Sequence, residues 1–456
     1  MSEPAPGAIR AFHALLANTA VAGVVNYTVW FALTFWVFLE TRSVFATGMV
    51  AGVFLVLTAA FAVWFGSLVD HHGKLRVMLG SSLASLAFYA VGLGLLLLTP
   101  EPAFREVAGP HLWVLIGLAM LGVIAGNLRN IALPTLVTAL VPEDRRDRAN
   151  GLVGMATGIG FLTTSVISGL LVAWGGMSGA LVFALGMTVL VIAQLLTVRL
   201  PAHAAAPAAA GPDTPDAPAG AGRGVDLAGT LKVVAAVPGL FALILFATFN
   251  NFLGGVFMAL MDAYGLSLMP VEAWGLLWGG VSVAFIVAGL VIARTGLGPK
   301  PLRTLMIVNL LMWGVASIFT VQPSIALLAA GCAAWMFLGP WAEAAEQTTL
   351  QKVVPYERQG RVFGFAQAVE QAASPLTAFL IGPLTQFVVI PFMSDGGAGA
   401  AAIGGWFGTG PERGMALVFT LAGLTGLLVT VLAFNSRPYR RLSAAYAAPA
   451  GEAPPP

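Results

Sequence analysis

Four ionisable residues stand inside long apolar runs of this 456-residue sequence: Arg129, Glu343, Glu346 and Glu370. In a bilayer-spanning run each costs at least about 2.5–3.5 kcal/mol on insertion scales, so each needs a partner or a task. A carboxyl group out of water prefers its neutral form, which lets it take a proton on one side of a membrane and release it on the other. Arg129 can compete with that proton as a counter-charge; a static ion pair that aids helix packing is the plainer alternative. Glu343, Glu346 and Gln347 are spaced i, i+3 and i+4, on one helix face. Gly339-Pro340 can kink that helix and turn the face towards a cavity. Glu346 could instead snorkel to a membrane surface, and Glu370 could pair with loop arginines.

Neutral polar residues collect in two further runs: Asn18 and Asn26 in one, Thr248, Asn250 and Asn251 in the other. With Trp30 and Trp335 they supply the candidate substrate contacts Asn26, Trp30, Asn250, Asn251 and Trp335. Bonds between helices, and the preference of Trp for membrane interfaces, are the structural alternatives. No metal or other cofactor is expected. The five histidines are scattered at 13, 71, 72, 111 and 203, and adjacent His71 and His72 point in different directions. The single cysteine, Cys332, has no disulfide partner. No G-x-x-x-x-G-K-[ST] loop is present to feed an ATP-driven pump, and no cluster of His, Asp or Cys suggests an enzyme.

The elements that must position these residues follow from composition. Only 9% of the chain is charged and 58% is hydrophobic, against roughly a quarter charged in soluble domains. Apolar runs long enough to span a bilayer occur at about 13–39, 44–69, 77–99, 112–140, 149–174, 177–199, 239–262, 272–293, 304–321, 325–350, 362–390 and 413–435. The expectation is an all-α membrane protein of twelve transmembrane helices in two six-helix bundles, 1–200 and 238–440. An Ala/Pro/Gly-rich linker over 201–237 joins them and a disordered tail covers 441–456. The first run lacks a cleavage site and reads as a retained helix rather than a signal peptide. With the N-terminus inside, 18 of the 22 basic residues fall in inner segments and three, Arg42, Arg105 and Arg413, in outer loops. That asymmetry predicts both termini in the cytoplasm. The net charge of +2 and the lack of a large basic patch give no reason to expect nucleic acid.

Residues 141–151 (VPEDRRDRANG) and 354–364 (VPYERQGRVFG) match at an offset of 213, each between the fourth and fifth helix of its half. Two parallel repeats explain this. The segment Gly66-Ser67-Leu68-Val69-Asp70-His71-His72-Gly73-Lys74-Leu75-Arg76 joins the second and third helices. Its glycines permit close helix approach, Asp70 can accept hydrogen bonds from a helix N-terminus, and Lys74 and Arg76 can hold the loop at an anionic surface.

This spacing resembles the G-x-L-x-D-x-x-G loop signature of the major facilitator superfamily, and with the twelve helices and half-repeat the resemblance covers about residues 10–440. The V-P-x6-A-N and G-R-V segments are similar to its macrolide and multidrug drug:proton antiporter branch. The resemblance implies that helices one, four, seven and ten line a central cavity. It also implies that Asp70 pairs with the start of helix eleven near Gly360 and Arg361 and locks an outward-open state. Gly66, Asp70, Gly73, Lys74, Arg76 and Arg361 are then the gating residues. His71 stands where the family has a basic residue, which makes that contact depend on pH. The second half keeps Gly289, Arg294 and Gly296 but has Ala293 in place of the Asp. The G-P-x-x-G-G antiporter signature appears only as Thr164–Gly169, without its Pro.

The implied function is secondary active export of hydrophobic or amphipathic small molecules (multidrug efflux) by proton antiport with alternating access. The expected protein is a plasma-membrane monomer, with Glu343, Glu346, Glu370 and Arg129 as coupling groups. The competing readings are an exporter of one endogenous metabolite such as a siderophore or lipid-like product, an importer, and a non-transporting sensor.

Overall fold

The computed structural model describes residues 6–41, 44–106, 109–201, 204 and 227–447. Among them the apolar runs are helical and no strand occurs. The first four are α1 (Pro6–Thr41), α2 (Val44–His71), α3 (Lys74–Leu98) and α4 (Pro110–Leu140). A 52-residue helix, Arg146–Thr197, is broken at Gly176 (φ 55°, ψ −153°) into two arms, α5 and α6. Then come α7 (Leu240–Leu268), α8 (Val271–Thr295), α9 (Pro301–Ile318), α10 (Ile325–Val353), α11 (Gln359–Leu384) and α12 (Pro411–Asn435). Among the described residues ten helices are long and apolar enough to cross a membrane.

Local chemistry sets many of the boundaries. Pro110, Pro301 and Pro411 open their helices at positions where a missing N–H costs nothing. Gly296, at φ 73°, closes α8 in a conformation that other residues avoid. α4 is interrupted at Leu128, so that Arg129 begins a second arm. α10 stays helical through Pro340, and α11 continues into a π-helical stretch, Thr385–Val389.

Three features depart from the sequence expectation. Leu227–Ala236 is a helix within the expected linker, most of which lies outside the described residues. Arg437–Ala447 is a helix where a tail was expected from 441; residues 448–456 lie outside the description. Arg413, read as a loop cation, is 2% exposed. It donates to the carbonyls of Phe407, Thr320 and Val321 and lies 4.2 Å over the Phe407 ring, because these carbonyls at helix ends have no helical donor of their own.

The chain divides into two compact units. The first comprises Met1–Ala149, Ala156–Leu231 and Val354–Ala368; the second comprises Asn150–Met155, Lys232–Val353 and Val369–Pro456. Each unit therefore takes in a short segment from the other half of the sequence.

Small residues set the packing in both units, as expected where water provides no drive between helices. In the first, α4 lies against α3 and α1 because Gly122 meets the Tyr89 ring and Gly126 meets the Asn26 side chain. In the second, Gly426 faces the Trp313 ring and Gly331 faces Phe319. Phe257 there stacks on Trp335 and Phe419, with centroids 5.4 and 5.1 Å apart. Outward-facing residues such as Leu98, Trp174 and Phe379 are at least 80% exposed. Apolar surface on that scale belongs in lipid.

Candidate functional site

Three carboxylates meet in the second unit. Glu343 and Glu346 lie on α10 and Glu370 on α11; Glu343 is exposed, the other two half-buried. The side chains of Glu346 and Glu370 approach one another, with Glu343 near both. Carboxylates only accept, so two that approach repel unless a proton lies between them. Glu370 Oε1 is buried with no donor, and Gln347 Oε1 and Trp341 Nε1 are likewise unpartnered. Sequence spacing puts Glu343, Glu346 and Gln347 on one face, but the meeting of Glu346 with Glu370 depends on helix packing and leaves no local signal.

Arg129 sits in the first unit and is 2% exposed. It donates to Asn18 Oδ1, to Ser82 Oγ and to the Met78 carbonyl at 3.4 Å. Asn18 in turn donates to the Val191 carbonyl and to Gln194. Within its own unit the acceptors of Arg129 are all neutral and come from α1 and α3. Arg129, Ser82 and Val191, with Asn26, Ser81, Ser85 and Thr188, line a small cleft. Ser82 and Gln194 escape a sequence search for charges because serine and glutamine are unremarkable in any helix.

The proposed substrate contacts divide. Asn26 is buried, accepts from the Tyr89 hydroxyl at 3.2 Å and donates to the Val123 carbonyl. Asn250 accepts from Trp313 Nε1 at 2.7 Å and donates to the Phe246 carbonyl; Asn251 donates to the Ala247 carbonyl, and its own carbonyl takes the Ser374 hydroxyl. Trp335 is half-buried, 5.1 Å from Trp313 between centroids. Trp30 differs: its ring lies 5.7 Å from Phe54, and its Nε1–H is buried without an acceptor.

The loop motif is built around Asp70. Its Oδ1 accepts from the Gly360 N–H at 2.7 Å, its Oδ2 from the Arg361 N–H at 2.9 Å, and Arg361 Nε is 3.6 Å from Oδ2. A carboxylate thus caps the opening turn of α11, where orphan N–H groups and the helix dipole favour an anion. A Cβ on Gly66 would strike the Gly360 carbonyl, and one on Gly360 would strike Asp70.

His71 is the second contact to α11: its Nε2 faces the Arg361 guanidinium at 2.8 Å, while Nδ1 lies 2.8 Å from the Ser67 carbonyl. The carbonyl can only accept and the guanidinium can only donate, which fixes the neutral Nδ1–H tautomer. Gly73 precedes the first turn of α3 with an ordinary extended backbone. Lys74, expected at an anionic surface, is instead fully buried 5.0 Å from the Tyr356 ring centre, because it opens α3 pointing at that ring. Arg76 is exposed. Among the described residues no group of three or more His, Cys, Asp or Glu could hold a metal ion.

Long lipid-facing helices, a carboxyl cluster within them and a glycine-bearing loop motif whose Asp70 caps α11 define a multi-pass membrane transport protein. The chain belongs to the Major Facilitator Superfamily, whose profile it matches over residues 15–378. No curated protein matches it in sequence. Solved structures that share its fold include the human organic anion transporter MFSD10 (TETRAN), with TM-score 0.66, 14% identity and 96% and 100% of the two chains covered. A bacterial homologue of the iron transporter ferroportin in an outward-facing state gives 0.67 and 15%, covering 92% and 98%. The proton:xylose symporter XylE bound to a bromo-deoxyglucose gives 0.58 and 14%, covering 91% and 94%.

Proposed function

We propose that this protein is a secondary active transporter that exports hydrophobic or amphipathic small molecules in exchange for protons, by alternating access. The observation that carries the coupling is the close approach of the Glu346 and Glu370 carboxyl groups on α10 and α11, with Glu343 beside them. Loss of the proton leaves two like charges side by side, so the pair favours a conformation in which water or a cation can separate them. The Trp30 indole N–H, buried with no acceptor, offers one orienting bond beside the Phe31 and Phe54 rings, a combination that suits apolar ligands better than sugars. The 18 basic residues on one side of the sequence-derived topology support cytoplasmic termini, and we assign the protein to the plasma membrane as a monomer.

Proteoliposomes with an imposed pH gradient test this. Efflux of a lipophilic dye driven by the gradient is expected for the wild type. Glu346→Gln and Glu370→Gln should abolish the drive while leaving downhill exchange, and Glu343→Gln should reduce it. Undiminished proton-driven flux in all three variants would overturn the coupling assignment, and inward concentration of the dye would overturn the direction.

A further inference from the structure

The helix Arg437–Ala447 follows α12 directly and belongs to neither the carboxyl cluster nor the loop motif. Arg437, Arg440 and Arg441, at i, i+3 and i+4, share an arc of about 100° and are all exposed. The opposite side is fastened to the protein. Leu442 is 1% exposed and fits over Gly239, where any Cβ would overlap Leu442 and the Pro438 carbonyl. Tyr446 carries the Lys352 ammonium 4.5 Å over its ring, and Tyr439 meets Phe434 edge-on at 5.1 Å.

The arginine face is uncompensated. Among the described residues no carboxylate pairs with these three; Arg440 donates to the Asn435 carbonyl. Arg303, exposed at the start of α9, acts on Tyr439 and adds a fourth cation. The face also lies at a defined depth. Exposed apolar residues of α12 run through Leu421, Leu424, Leu428, Val431 and Leu432. Arg437 follows Leu432 by five residues, at most about 7.5 Å along a helix, which is headgroup depth.

We propose that this helix is an anionic-phospholipid docking surface, on which Arg437, Arg440 and Arg441 grip headgroup phosphates beside the lipid-facing stripe of α12. Planar guanidinium groups bind phosphate through paired N–H donors. A helix already fixed by Leu442 and Tyr446 loses little freedom when it does so.

Native mass spectrometry of the full chain, titrated with phosphatidylglycerol or phosphatidylcholine, tests this. The wild type is expected to retain phosphatidylglycerol about tenfold better, and millimolar inorganic phosphate should not displace it. Arg437→Gln/Arg440→Gln/Arg441→Gln should lose that preference, whereas the triple Lys variant keeps part of it. Arg145→Gln/Arg148→Gln, which removes two exposed cations elsewhere, should leave it unchanged. Single Gln variants, each lowering the preference in part, serve if the triple variant does not fold. An unchanged preference in the Gln variants, an equal loss in the Arg145/Arg148 pair, or displacement by phosphate would overturn the proposal.

Discussion

The sequence repeat places two helix crossings side by side for comparison: α2 with α11 in the first unit, α8 with the opening of α5 in the second. The connections into α5 and α11 are built alike. Pro142 and Pro355 adopt φ −55° and −54°, short 3-10 turns follow, and Arg146 and Gln359 each reach back to the carbonyl of Val141 or Val354. Both crossings require glycine: Gly66, Gly360 and Gly364 in one, Gly151 and Gly289 in the other. Their carboxylates differ. At α11 the first N–H groups belong to Gly360 and Arg361 and are capped from another helix by Asp70. At α5 the position matching Gly360 is Asp147, whose own Oδ1 takes the Arg148 N–H at 2.7 Å, and the position matching Asp70 is Ala293. The same need is met locally in one copy and by a tertiary contact in the other. Only the second kind can respond to movement.

The largest expected effect breaks the close approach itself. Gly360→Ala puts a methyl group into Asp70 and should cost roughly 3 kcal/mol, seen as a lower melting temperature in detergent, whereas Gly254→Ala, with open space around it, should be near neutral. Asp70→Ala strands two N–H donors and should cost about 2–3 kcal/mol. Asp147→Ala, the loss of a local cap on a partly exposed turn, should cost about 1 kcal/mol or less. Equal losses in these two variants would erase the distinction drawn above. Arg146→Ala and Gln359→Ala should each cost about 1 kcal/mol, and a difference between them well beyond that would show that the two connections are not equivalent. The smallest effect is at His71: His71→Leu removes the acceptor facing the Arg361 guanidinium at an exposed contact and should cost about 1 kcal/mol or less, read as a melting temperature.

Much of the fold was legible in the sequence because the chain must satisfy its backbone bonds within each span, and spans show as apolar runs. The break near 174–177 appeared as two adjoining runs separated by Gly175 and Gly176. The interruption at Leu128 carried no such mark, since Leu and Arg are both good helix formers, and the partners of Arg129, Asn18 and Ser82, are neutral residues distant in sequence. The helix Arg437–Ala447 escaped notice because hydropathy alone reads its arginines and alanines as polar tail; its two faces emerge only at helical period. Asp70 stood out through its spacing with Gly66 and Gly73, but its partners at Gly360 and Arg361 came from family resemblance and not from the residues themselves.

Gly176 has a consequence for biogenesis. α5 and α6 are joined through one residue of left-handed backbone, with no polar loop between Trp174 and Met177. A translocating machine reading spans one at a time finds no segment to leave on the far side before the chain turns back. The two arms are therefore expected to enter the bilayer together as a helical hairpin. Nascent chains truncated shortly after Gly176 should remain extractable from membranes at α5, while those extended past Thr197 should hold both arms.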